Sequence, residues 1–253
     1  MIDSTRTDSS GHFNFQLIKP VTVGIYRLVF VDDRFVEIIA GSESVELLLD
    51  FESDPLTENL LISKSLETKI YYDVLEIESR NSIRIAQLSQ LLRLYQKKSL
   101  NPSFQSALSS EISRLDVSRR QNLEKEVRRI PNSFVQRWLY ACYTPLPQFT
   151  HQWKQIYPTE REFQIDHFLD HVNFADDQLL YSSYYRIKLE YYLQMILPDD
   201  PTGQNYGIDL ILQKSRINRR VHDYVVTFLC HYYTINDQKF LADHVRGYYP
   251  KSE

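Results

Sequence analysis

The residues of this chain best placed to do chemistry are His167 and His171, four positions apart in the run His167-Phe168-Leu169-Asp170-His171. On an α-helix that spacing puts both imidazoles on one face, as zinc sites require. The run also reads H-x-x-D-H, one carboxylate away from the inverted zincin pattern H-x-x-E-H. An Asp in place of Glu draws the general base back from a metal-bound water. No third ligand stands at a compelling spacing, although Asp166, Asp170, Asp176 and Asp177 could supply oxygen. A metal-dependent hydrolase built on His167 and His171 is therefore one reading of the segment. Helix-start polarity followed by solvent-exposed histidines accounts for it better.

Two further sets invite a nucleophilic reading. Cys142 with His151 could form a thiolate–imidazole pair. However, Cys142 follows Phe134 and Trp138 on the helix face expected to be buried, where a thiol has a raised pKa and is inert. Cys230, four residues after Val226 and three before Tyr233, reads the same way, as a small core hydrophobe. His222, Asp223 and His231 suggest a triad, yet Asp223, Thr227 and His231 fall on one polar stripe of a helix. No G-x-S-x-G occurs, and the six glycines are scattered, so neither a nucleophile elbow nor a phosphate loop is expected. The pairs Arg119-Arg120 and Arg128-Arg129 could bind phosphate. Glu124 and Glu126 offset them, and Glu124 with Arg128 has the i,i+4 spacing of a solvated helix face. No catalytic, cofactor-binding or metal-binding residue is assigned on this basis. The chain is expected to be non-enzymatic and to carry no cofactor.

The elements that would position these residues change character near residue 63. Phe13, Phe15 and Leu17 alternate with polar neighbours. After Pro20, a strand over 24–30, a turn at Asp32-Asp33 and strands over 35–39, 45–51 and 59–62 follow. Short β-rich runs punctuated by turn residues predict a five-stranded antiparallel meander or sandwich over 1–63. From 64 to 253 the pattern is helical, with a subdivision near 145–160. Ser65 starts a helix that runs to 98, read either as one long helix or as two, and Asn101-Pro102 breaks it. Phe104, Leu108, Ile112 and Leu115 mark a second helix, and Leu123, Val127 and Ile130 a separate charge-rich one ending at Pro131. Asn132 or Ser133 caps a helix over 134–143, which stops before Pro145 and Pro147. In 184–197 apolar residues cover both faces, Tyr185, Leu189, Tyr192, Leu193 and Ile196 on one, Tyr184, Ile187, Tyr191 and Met195 on the other. This helix is expected to be central and mostly buried. Val221, Tyr224, Val225, Phe228, Leu229 and Tyr232 give a second core helix, and 240–248 a last one. The fold class is α+β, a small antiparallel β domain followed by an all-α domain.

Composition is that of an ordinary globular chain, 43% hydrophobic and 25% charged. A net charge of −4 gives no basic footprint for nucleic acid. No run reaches the ~18 apolar residues that a membrane span needs, and the polar start carries no signal-peptide core. Eighteen tyrosines against two tryptophans are unusual. They suit helices whose buried faces run out to a wet rim, where ring and hydroxyl have different needs. A binding surface is the other reading.

Several motifs together resemble a known family. The segment 163–249, with Phe168, Val172-Asn173-Phe174-Ala175-Asp176-Asp177 and Leu179-Leu180, and a later Phe228-Leu229-Cys230-His231-Tyr232-Tyr233, is similar to the helical domain of uncharacterised function in Bacteroidetes thiol–disulfide oxidoreductases. Asp8-Ser9-Ser10-Gly11 with Phe13 and Phe15, Gly24-Ile25-Tyr26-Arg27-Leu28, and the helix entry at 64–72 resemble the β-rich domain that precedes it. The resemblance implies that the redox chemistry lies in a C-terminal thioredoxin-fold domain with a CxxC pair, which this sequence lacks. It implies that the chain is the non-catalytic forepart of such a protein, as a fragment or a natural truncation, with the first strands of its β domain missing. It also implies a periplasmic or otherwise extracytoplasmic place, and a role in positioning the redox domain, forming a homodimer or docking a substrate protein. A stand-alone helical scaffold that binds peptides is a further alternative.

Overall fold

The computed structural model describes residues 4–15, 21–98, 100–143 and 152–247. The chain is α+β, with four strands in two antiparallel ladders followed by eight α-helices among the described residues. Two compact units divide it, Met1–Gln136 and Arg137–Glu253. Strands give way to helices at about residue 65, close to the change of pattern in the sequence, but the strands share their unit with the first two helices.

In the first unit β1 (Gly24–Val29) pairs with β2 (Phe35–Ala40), in register from Gly24↔Ala40 to Val29↔Phe35. The turn falls at Asp32-Asp33 as expected: Asp33 takes a left-handed φ of 62°, and Asp32 accepts from the backbone N–H of Arg34 at 3.2 Å. β3 (Glu46–Leu48) and β4 (Leu61–Lys64) form a separate ladder whose register slips between Glu46 and Leu47. The expected five-stranded meander is thus replaced by two hairpin-sized ladders. Phe13 and Phe15 form no strand and instead meet edge to face, while Leu17 and Pro20 lie outside the described residues.

Two strands cannot cover a core alone, and β2 is closed by a helix instead. α1 (Leu66–Lys97) is one continuous helix whose N-cap, Ser65, accepts the Thr68 N–H. From its first turns, Thr68 Oγ1 accepts the Ile39 N–H at 3.2 Å, Tyr72 Oη accepts the Glu37 N–H at 3.1 Å, and Tyr71 donates to the Glu37 carboxylate at 2.5 Å. Glu67 is buried in the same turn. It accepts from the Ser42 hydroxyl and from the Val135 N–H, both at 2.9 Å, the latter at the start of α3 (Phe134–Tyr143). A carboxylate there is favoured by the helix dipole. α3 has the expected bounds; its cap is Ser133, whose Oγ accepts the Gln136 N–H, and Pro145 and Pro147 lie outside the described residues.

α2 (Pro102–Val127) is a single helix where the sequence suggested two. Between Leu115 and Leu123 its apolar stripe is interrupted and Val117 faces solvent. Ion pairs one turn apart replace it there: Asp116 with Arg119 at 2.6 Å and with Arg120 at 2.5 Å. Arg119 also reaches Glu78 of α1 at 3.1 Å, and Tyr95 meets Phe104 with ring centroids 4.9 Å apart, so α1 and α2 run antiparallel.

The second unit holds α4 (Glu160–His167), α5 (Tyr184–Tyr191), α6 (Pro201–Ser215), α7 (Arg219–Ile235) and α8 (Lys239–Gly247), with single 3-10 turns over Phe168–His171 and Asp177–Tyr181. Tyr248, expected to end the last helix, lies outside the described residues. α5 continues into a π-turn, Tyr192–Ile196. Tyr184, Tyr185, Leu189, Tyr192 and Leu193 are buried in one core with Val225 and Leu229 of α7. Of the other face only Tyr184 is buried as expected: Ile187, Tyr191 and Met195 are 54%, 47% and 66% exposed. Apolar side chains on both faces do not by themselves say which face meets the core.

The buried tyrosines here serve backbone that lacks helical partners. Tyr185 donates to the Asn173 and Asp176 carbonyls at 2.6 and 2.9 Å, Tyr192 donates to the Ile165 carbonyl at 2.7 Å, and Tyr184 Oη accepts the Asn173 N–H at 3.1 Å. Burial raises all three phenols, Tyr184 to about 12. Unsatisfied groups in this stretch would each cost about 1–3 kcal/mol, so the rings fill the core while the hydroxyls hold the irregular chain. Among the described residues no helix is long and apolar enough to cross a membrane.

Candidate functional site

A connected set of titratable side chains in the second unit surrounds His167. A capping box between Thr159 and Glu162 starts α4, and His167 is its last residue. Trp153, Tyr157, Phe163 and His167 form an aromatic cluster, with centroids 4.6 Å apart for Trp153–His167 and 4.8 Å for Phe163–His167. Through it runs a chain of polar contacts. Lys214 of α6 donates to Asp170 at 2.5 Å, and Asp170 meets His167 Nδ1 at 2.9 Å. His167 Nε2 lies 3.2 Å from the Tyr157 hydroxyl, and Asp166 accepts from Tyr157 at 2.9 Å and from Tyr206 at 2.7 Å.

The electrostatics suit donors and acceptors already matched to one another. Burial pushes the Asp170 carboxyl up, but the hydrogen bonds from Lys214 and His167 outweigh it and hold Asp170 below its ordinary value. The hydrogen bond to Asp166 pushes Tyr206 up to about 12, and burial together with Asp166 raises Tyr157. Raised phenols are poor nucleophiles and poor bases near neutral pH. In this arrangement both act as hydrogen-bond donors to Asp166 of α4, Tyr206 from α6 and Tyr157 from the turn before α4.

The structure separates the two histidines that the sequence brought together. α4 ends at His167 and a 3-10 turn carries His171, so the pair does not share an α-helical face. His167 engages Asp170 and Tyr157 through its two ring nitrogens. Among the described residues no three His, Cys, Asp or Glu converge in a way that could hold a metal ion. Asp176 caps the turn at Gln178, and Asp177 pairs with Arg220 at 2.7 Å.

The expected triad residues do not assemble either. His222 Nδ1 lies 2.8 Å from Oγ of the fully buried Ser215, a partner not foreseen from spacing. The Ser215 hydroxyl donates to the Leu212 carbonyl at 3.1 Å. With its hydroxyl turned to the Leu212 carbonyl, the buried Ser215 serves the backbone rather than presenting a nucleophile to solvent. Thr227 and His231 face solvent. No disulfide joins Cys142 to Cys230. Burial raises the Cys230 thiol. Cys142 packs at the edge of the core, its carbonyl accepting from Lys188 at 3.1 Å, and His151 lies outside the described residues. Of the basic pairs on α2, Arg120, Arg128 and Arg129 are exposed and each has an acidic neighbour within 2.5 Å, while half-buried Arg119 bridges to α1. Comparison of the chain with protein-family models, with curated proteins and with solved structures found no match.

Proposed function

We propose that this chain is a non-catalytic interaction module of an extracytoplasmic thiol–disulfide oxidoreductase, which positions a thioredoxin-fold redox domain or docks a partner protein. The tie to that family rests on the resemblance of residues 7–15, 24–28, 64–72 and 163–249 to its forepart. The periplasmic location is part of the same reading.

The observation that carries the interaction role is the uneven burial of α1. Its buried residues are Glu67, Thr68, Ile70, Tyr71 and Val74, all in its first turns. Beyond Val74, Leu88, Leu91 and Leu92 are only half covered, and Ile83 and Leu94 are 57% and 51% exposed. A two-helix hairpin buries one seam and leaves such positions for a third partner. The exposed Ile187 and Tyr191 of α5, with Met195 of the π-turn that continues it, add a second apolar face.

Light scattering on the eluting protein tests the self-association form of this role. Wild type is expected above monomer mass at high concentration, and Ile83→Lys with Leu94→Lys is expected to return it to monomer without loss of helix signal. A wild type that stays monomeric at every concentration counts against the homodimer. The reading frame around the gene tests the redox tie: a signal sequence upstream and a CxxC domain downstream are expected, and a frame encoding neither removes it.

A further inference from the structure

Strand β1 has one edge on β2 and, among the described residues, one edge bare. Glu37 and Ile39 direct their N–H groups away from β1, to Tyr72 and Thr68 of α1. In an antiparallel ladder the residues opposite them, Arg27 and Ile25, then point their own N–H and C=O outward, and Val29, opposite Phe35, follows the same alternation. The hairpin bond from the Phe30 N–H to the Arg34 carbonyl places the even-numbered set inward. Among the described residues no hydrogen bond reaches the outward backbone groups of Ile25, Arg27 or Val29. α1 closes the β2 edge of this ladder; among the described residues nothing comparable closes β1.

A row of extended donors and acceptors is a template for one kind of ligand, another strand. The side chains say what that strand should carry. On the face shared by Ile25, Arg27 and Val29, β2 presents Ile39, Glu37 and Phe35 opposite them, apolar–acid–apolar at every second residue. Arg27 bonds Glu37 at 3.0 Å and lies 4.3 Å over the Phe35 ring, and its side chain remains more than half exposed. Symmetric pairing of all three positions with a second copy would set Arg27 opposite Arg27, and like charges directly opposite are destabilising.

We propose that the outer edge of β1 binds an extended segment of a partner polypeptide, antiparallel, with an acidic residue opposite Arg27 and apolar residues two positions to either side. The backbone supplies the affinity and Arg27 selects the acidic centre. This surface lies on the first unit and does not depend on the apolar faces of α1 or α5 binding anything.

The test uses the whole chain and a synthetic peptide of residues 34–41, the β2 sequence, because it carries the required pattern. Binding is followed by fluorescence anisotropy and by hydrogen exchange at Ile25, Arg27 and Val29. The peptide is expected to bind and to slow exchange at those three amides. A peptide with Lys in place of Glu37 should bind about tenfold more weakly, as expected when an opposed charge pair becomes a repulsive one. Arg27→Glu in the protein should reverse that preference. Val29→Pro removes one outward N–H and no bond to β2, so it should abolish binding and leave the fold intact. The proposal is overturned if the peptide does not bind, if Val29→Pro or the charge swap has no effect, or if the three amides are already protected in the chain alone. Self-association that Val29→Pro removes would also overturn it, by making a second copy the occupant.

Discussion

The hydroxyl of Tyr233 donates to Oε1 of Gln204 at 2.7 Å, and both side chains are buried. Gln204 spends its amide N–H groups on the carbonyls of Leu193 and Pro198, at 3.3 and 2.8 Å. Those carbonyls lie where α5 widens into its π-turn and stops, and so lack ordinary helical partners. Tyr233 is thus the far end of a strut from α7 through α6 to the end of α5. Tyr233→Phe should cost about 1–3 kcal/mol by leaving a buried acceptor unpaired. Gln204→Leu should cost more, since it strands two carbonyls and a hydroxyl. Urea unfolding of the two single variants and the double variant should give a coupling of about 0.5–3 kcal/mol. A coupling near zero would show that the two side chains do not act together.

A second strut joins sheet to helix. Thr68 is fully buried and its Oγ1 accepts the Ile39 N–H, while Ser65 donates to the same oxygen at 2.8 Å. Thr68→Val keeps the shape and removes the acceptor, leaving a buried amide unpaired at a cost of about 1–3 kcal/mol. Hydrogen exchange should speed up at Ile39 more than at Ile38, whose amide faces β1. Equal acceleration at both positions would mean that the whole hairpin had come away.

These contacts also explain what could be read from the chain beforehand. The β1–β2 hairpin and the bounds of α3 were readable because alternation, turn residues and a cap act over a few positions. The continuity of α2 was not, because ion pairs hold it where its apolar stripe lapses at Arg119 and Arg120. Which face of α5 is buried was hidden by having tyrosines and aliphatic side chains on both. The cluster around His167 was invisible for another reason: Lys214 lies 44 residues from Asp170 and Tyr206 lies 40 from Asp166. Local spacing drew His171 in, and a change of helix type at Phe168 took it out.

His222 gives the chain a pH dependence with a definite sign. Burial, aided by the neighbouring Arg216, lowers its folded pKa below the ordinary 6.5. Above 6.5 both states hold the neutral ring and its contribution to stability is fully present. As pH falls from 6.5 through the folded value, the unfolded chain takes up the proton first and that contribution is lost. NMR titration should place the His222 midpoint below 6.5. His222→Gln should flatten the fall in stability across that window relative to wild type. A midpoint above 6.5 would show that the ring is held as the cation, and the sign of the pH dependence would reverse.

Gly207 marks a close approach in the second unit, between α6 and the Leu197 side chain just past the π-turn. It lies inside α6, and a Cβ there would come within 2.2 Å of Leu197 Cδ1 and 2.7 Å of Cδ2. Leu197 is fully buried, so it has little room to withdraw. In an exposed helix, Gly→Ala gains about 1 kcal/mol from backbone entropy. Overpacking a core by a methyl costs about 1–3 kcal/mol, and a contact this short belongs at the upper end. The clash should therefore win, and Gly207→Ala should lower stability by about 1–2 kcal/mol. Gly247, at the end of α8, has nothing within 4 Å of the place a Cβ would take, so Gly247→Ala should be neutral or stabilising. Thermal unfolding of the two variants side by side separates the terms, because backbone entropy acts in both and the clash in one. If Gly207→Ala proved the more stable of the two, the seat of Leu197 against α6 would have to be looser than its burial requires.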